Sequence, residues 1–181
     1  LAKDKVRNVV CGWGGAGAFS DGKLTLTTEF GGNLDDYMSQ AELAEKIKYV
    51  DSVYCRFGGA DRKVYGDENP EEIRRIQRRA AAADLRFIPA RIRHLGTDVN
   101  AQILTNMRDF LDGKADILSD TAVEHIVVED GAIRGVIIGG QLYGCQYLVA
   151  APGREGSEWF VREVEQMGLS LTSNAVDIGV R

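Results

Sequence analysis

The residues best suited to chemistry lie near the start of the chain, where Gly12-Trp13-Gly14-Gly15-Ala16-Gly17 matches the dinucleotide pattern GxGxxG. In that pattern, glycines let the backbone approach a pyrophosphate at a helix N-terminus. The pattern carries that meaning only where a helix opens at its end. Here Ala18-Phe19-Ser20-Asp21-Gly22-Lys23 follows, with three turn formers in series and a glycine that disfavours helix. No apolar stripe at helical spacing precedes the β-branched Thr25, Thr27 and Thr28. The sequence therefore predicts a turn near residues 20–22, a non-helical stretch over 23–27, and the next long helix only after Gly32. Three readings stay open for the run: a first Rossmann turn, a structural turn without ligand, or a phosphate- or cofactor-contacting loop of another kind.

Little else in the chain offers catalysis. No Ser/His/Asp set, metal-ligand cluster or pair of carboxylates at fixed spacing stands out, so no catalytic residue and no metal ligand is assigned. The histidines are His94 and His125, and both read as structural. Cys11, Cys55 and Cys145 are odd in number, far apart and without a CxxC spacing, so neither a zinc site nor a disulfide framework is expected. Reduced cysteines and an N-terminus without the apolar core of a signal peptide lead to a cytoplasmic expectation.

The elements that must position the loop follow from periodicity. Residues 6–10 suit a short buried strand. Leu34, Met38, Ala41, Ala44, Ile47 and Val50 recur at three and four, predicting a helix over 34–53. A second helix is expected from Pro70 to about Ala83 with Asn69 as its N-cap. Residues 85–92 look extended, with Pro89 demoting any strand to an edge. A third helix follows His94-Leu95-Gly96-Thr97-Asp98, capped by Thr97 or Asp98, with Val99, Ile103, Met107, Phe110 and Leu111 on its buried face. Then come strands: 116–121, a hairpin of 123–128 with 133–138 around Asp130-Gly131, and 141–147 after Gly139-Gly140. The apolar run 147–151 suits a central parallel strand sharing a sheet with 116–121. A last helix is expected over 158–167.

Composition sets the outer bounds. The chain has 181 residues, 44% of them apolar and 27% charged, which is ordinary for a globular domain. No run approaches the roughly 18 apolar residues of a membrane helix, so no membrane span is expected. A net charge of −5 argues against a nucleic-acid surface. The cluster Arg74, Arg75, Arg78 and Arg79 reads as a solvated face that complements the dipole of its helix. The chain opens on Leu1 and closes on a strand-like alternation, Ala175 to Arg181, and is expected to be an internal piece of something longer.

The string GGAGAFSDGKLT, Gly14 to Thr25, resembles a family of FAD-dependent dehydrogenases that carry GGAG(T/A)FSDGKL, within the glutathione-reductase-like flavoproteins. Arg93-His94-Leu95-Gly96-Thr97-Asp98 resembles that family's H-(I/L)-G-T-D. Leu148 to Gly153 resembles its apolar strand followed by A-x-G, and Asp177-Ile178-Gly179-Val180-Arg181 matches as well. Where many flavoproteins read A-T-G, this chain reads Ala150-Ala151-Pro152-Gly153, and Pro152 lacks a backbone donor.

The resemblance implies an α/β fold, α+β within this chain. It would be an incomplete FAD-binding domain with parallel strands and a β-meander (1–28 and 97–153), an inserted, mostly helical segment (29–96), and the start of a second, substrate domain (154–181). It implies a Rossmann βαβ upstream of the loop, so that the chain alone would bind FAD only weakly. It implies FAD as cofactor, leaves NAD(P) open as a second one, and does not specify the substrate or the electron donor or acceptor. It implies that Gly14, Gly15, Ala16 and Gly17 face the cofactor through backbone N–H groups. Ser20 and Lys23 would add a hydroxyl and a charged donor. Asp21 would brace the loop or accept from a ribose or flavin donor. Thr121, Ala122 and Val123 would hold adenine, and Ala151 and Gly153 would lie near the pyrophosphate. The alternative is a non-catalytic nucleotide-binding or interaction module.

Overall fold

The computed structural model describes residues 12–20, 22–66 and 68–172. They form two compact units, one spanning Trp13–Asp116 and the other comprising Gly12 and the described residues from Ile117 onward. The architecture is mixed α and β, with two small antiparallel sheets. The expected strand at 6–10, Asp21, and the expected terminal strand lie outside the described residues.

In the first unit, the glycine-rich run closes into a single 3-10 turn, Gly15–Phe19, and the chain then extends into β1, Lys23–Thr25. No α-helix covers the described residues of 20–28, as the turn formers there predict. The helix expected over 34–53 is divided. A short 3-10 turn occupies Leu34–Asp36, and α1 starts at Gln40 and ends at Tyr54. Ser39 sets that start through a capping box: it accepts from Glu42 N–H at 3.3 Å, and its own N–H donates to Glu42 Oε2 at 2.9 Å. A π-type turn, Cys55–Gly59, follows α1. The strand β2, Val64–Tyr65, leads to α2, Pro70–Ala81, where Asn69 caps Glu72 N–H at 3.1 Å as expected.

The strand β3, Ile92–His94, begins beyond Pro89, so every residue in it keeps its N–H. It is therefore central rather than an edge, in the order β1-β3-β2, antiparallel to both neighbours. The helix α3, Thr97–Leu111, is entered through Gly96, at φ 80°. Thr97 and Asp98 are thus helical residues, and no side chain caps the end. Of the face predicted to be buried, Ile103 is fully enclosed, while Phe110 is exposed beside Phe57. Leu43, Leu95 and Ile103 form the centre of this unit.

The second unit is a meander of β4 (His125–Glu129), β5 (Ala132–Ile138) and β6 (Gln141–Gly144), with α4 (Ser157–Gln166) after it. Asp130 (φ 52°) and Gly131 (φ 75°) both take left-handed conformations, the two-residue turn that matches strand twist. Gly139 (φ 57°) and Gly140 (φ 73°) repeat it.

The parallel sheet expected from 116–121 and 148–151 is not found among the described residues. Both stretches run without ladder partners. An apolar run becomes a strand only where a neighbour takes its N–H and C=O groups, and here Tyr147 and Val149 remain 90% exposed. Val123 likewise precedes the ladder, which opens at His125. Among the described residues, no helix is long and apolar enough to cross a membrane.

Candidate functional site

The glycine-rich loop is built onto α3. Gly14 and Gly15 take left-handed conformations, φ 82° and 53°, which turn the chain into its 3-10 coil. Ser20 closes the coil. Its hydroxyl donates to the Gly17 carbonyl at 2.9 Å and accepts the Gly22 N–H at 3.1 Å. The Ser20 hydroxyl proton is thereby engaged inside the loop.

Three long-range bonds then hold the loop in place. Asn100 Nδ2 donates to the Gly17 carbonyl at 2.7 Å, Trp13 Nε1 donates to the Leu104 carbonyl at 2.8 Å, and Leu95 N–H donates to the Gly22 carbonyl at 2.9 Å. Gly22 is wedged at the base, where an added Cβ would stand 3.0 Å from Leu95 Cβ and 3.2 Å from both Asn100 Cβ and the Gly96 carbonyl. At Gly15 and Gly17 the same construction meets nothing within 4 Å. The loop is thus rigidly footed and has an open upper surface.

The segment Arg93 to Asp98 forms the other half of this arrangement. Arg93 grips Asp51 of α1 with two bonds, Nε to Oδ1 at 2.6 Å and Nη2 to Oδ2 at 2.8 Å, and its Nη1 donates to the Arg62 carbonyl at 2.5 Å. The hydrogen bond from Arg93 to the Asp51 carboxylate holds the guanidinium above its ordinary pKa. This fixes β3 against α1, and Leu95 and Gly96 receive Gly22. Segments about 70 residues apart in the sequence, Gly14 to Lys23 and Arg93 to Asp98, are therefore one structural feature.

Lys23 lies on β1 opposite His94 and lines a cavity of about 420 Å³ between β1 and α1, with Leu34, Leu43 and Ile47 among its walls. Thr121, Ala122, Val123, Ala151 and Gly153 belong to the other unit. Thr121 Oγ1 donates to the Ser119 carbonyl at 2.9 Å, Ala122 and Ala151 are exposed, Val123 is half-buried, and Gly153 turns at φ 66°. The residues that foot the loop, Trp13, Asn100 and Leu104, were not among the sequence candidates. Asn100 had a signal: it is polar, yet it sits between Thr97 and Ile103 at the spacing of the buried stripe. No group of three or more His, Cys, Asp and Glu residues among the described residues could hold a metal ion.

The chain is 29% identical over 178 residues to an uncharacterized protein of Clostridium beijerinckii (strain ATCC 51743 / NCIMB 8052). That match covers 96% of this chain and 26% of the relative, so the chain spans about a quarter of the relative's length. No family model and no solved structure matches the chain.

Proposed function

We propose that this chain is part of an FAD-dependent oxidoreductase, with the loop from Gly14 to Gly17 lying against the cofactor. The observation that carries this reading is the packing just described. The two segments that resemble the flavoprotein family, GGAGAFSDGKL and RHLGTD, meet through Gly22, Leu95 and Gly96. Two motifs far apart in sequence gain a common purpose if they build one loop.

The open surface beside Gly15 and Gly17 supports the same reading, because a flat ligand needs close approach to backbone. In this account Gly14, Gly15, Ala16 and Gly17 bind through main-chain groups, and Asn100 and Trp13 fix the loop's position. Lys23 supplies a positive charge at its foot. FAD, when bound, supplies the redox chemistry, and the protein supplies binding and orientation.

Gly17→Val in the complete natural protein tests the reading. Gly17 is not in a left-handed conformation and has open space beside it, so valine obstructs a ligand without a steric clash in the fold. The expected result is a soluble, folded protein that retains less than about a tenth of its flavin. Full flavin occupancy in the folded variant would return the loop to a structural role.

A further inference from the structure

Four cavities crowd the place where the chain leaves β1, at Leu26, Thr27 and Thr28. Their described lining includes Lys23, Lys46, Lys48, Arg74 and Arg91, but only one carboxylate, Asp51. Asp51 is already bound by Arg93 on two oxygens. Lys48 is paired with Glu45 at 2.6 Å, and Lys23 and Arg91 have partners as well.

The largest of these cavities, about 470 Å³, lies between α2 and the segment leading into β3. Its walls are apolar (Leu26, Pro70, Ile73, Pro89 and Ala90), Thr27 contributes a hydroxyl, and Arg74 and Arg91 bring guanidinium groups. No carboxylate lines it among the described residues. Arg75, one position on, is bound to Glu72 at 2.8 and 2.5 Å, whereas Arg74 has no ion pair among the described residues. The helix end beside the cavity offers no phosphate cradle: Pro70 has no N–H, Asn69 occupies the Glu72 N–H, and the Ile73 N–H bonds the Asn69 carbonyl at 3.1 Å. What remains is an apolar cleft with a planar, fork-shaped cation at its edge, which suits a carboxylate on an apolar body. The volume falls in the range of small-molecule sites, roughly 300–1,000 Å³.

We propose that this cleft binds a small organic acid, with its apolar body against Leu26, Ile73 and Pro89 and its carboxylate on Arg74. The site does not depend on the flavin reading, because none of its lining residues belongs to the loop from Gly14 to Gly17.

The experiment titrates the complete natural protein with hexanoate, with hexan-1-ol and with inorganic phosphate, followed by the backbone amide signals of Thr27, Ile73 and Ala90. Hexanoate should shift these amides saturably and bind at least about tenfold more tightly than hexan-1-ol, with phosphate weaker still. Arg74→Gln, at an exposed position without an ion-pair partner, should bring hexanoate down to the level of the alcohol. Equal binding of acid and alcohol, phosphate as tight as hexanoate, or unchanged hexanoate affinity in Arg74→Gln would each overturn the proposal. The alcohol comparison needs no variant, so it decides the matter even if Arg74→Gln misfolds.

Discussion

The unit from Trp13 to Asp116 and the meander unit after it reach order by different routes. In the meander, neighbouring residues set the structure. Asp130-Gly131 and Gly139-Gly140 turn the chain, each strand pairs with the next, and register follows from the turns apart from a bulge between Val127 and Val128. Two residues of α4 reach far: the buried Glu163 carboxylate accepts the Ile126 N–H at 2.7 Å and meets His125 Nδ1 at 3.0 Å, and Trp159 Nε1 donates to the Glu124 carbonyl at 2.9 Å. In the first unit, distant partners set the structure, with Arg93 on Asp51, Asn100 on Gly17 and Leu95 on Gly22. A feature held by local turns tolerates changes elsewhere, whereas one held by distant partners fails when either side is altered.

The sharpest way to break this contrast is Asp51→Ala, which leaves the largely buried Arg93 without its carboxylate. Removing one partner of a buried pair costs about 3 kcal/mol, and here it should loosen β3 and with it the footing of the glycine loop. Urea unfolding should report the loss. A change below about 0.5 kcal/mol would mean the pair behaves as a surface bridge.

Next in size is Gly22→Ala. The φ of 63° and contacts at 3.0–3.2 Å combine strain with a clash against β-carbons and a carbonyl that have little room to move. The expected cost is about 2–3 kcal/mol. Gly15→Ala, left-handed but in open space, should cost only about 1 kcal/mol. Equal effects would dissolve the distinction between a wedged base and an open upper surface.

In the meander, Glu163→Ala orphans the Ile126 N–H, at about 1–3 kcal/mol. Hydrogen exchange should quicken at Ile126 while Asp130 and Gly131 keep their turn. Loss of the whole hairpin would show that α4, not the turn residues, holds the sheet.

The smallest effect concerns Glu42, whose pKa is lowered first by the Ser39 hydroxyl and then by the Ser39 N–H. A lowered carboxylate pKa favours the fold at pH above the ordinary range, and that favour fades as pH falls through the folded value. Ser39→Ala should move Glu42 part-way back up, seen in its carboxyl carbon titration. An unmoved titration would remove the hydroxyl as the cause.

These routes also explain what the sequence revealed. Turn chemistry made Asp130-Gly131 and Gly139-Gly140 legible, and the cap Asn69-Pro70 marked the start of α2. The same logic excluded a helix after Gly17, because Ser20 and Gly22 are turn residues. Periodicity misled where a local cap won: Ser39 cut the stripe from Leu34 to Val50 into a turn and a helix. It misled again at Leu148 to Ala151, where an apolar run implied a strand but pairing depends on a neighbour. The footing of the loop was hidden for a similar reason, since Trp13 on Leu104 and Asn100 on Gly17 join residues 91 and 83 apart.

If the loop from Gly14 to Gly17 serves a flavin, as proposed, the visible absorbance spectrum of the complete natural protein will show it. A yellow protein with a band near roughly 450 nm and about one FAD per polypeptide is expected. A folded, colourless protein that takes up no added FAD would contradict it.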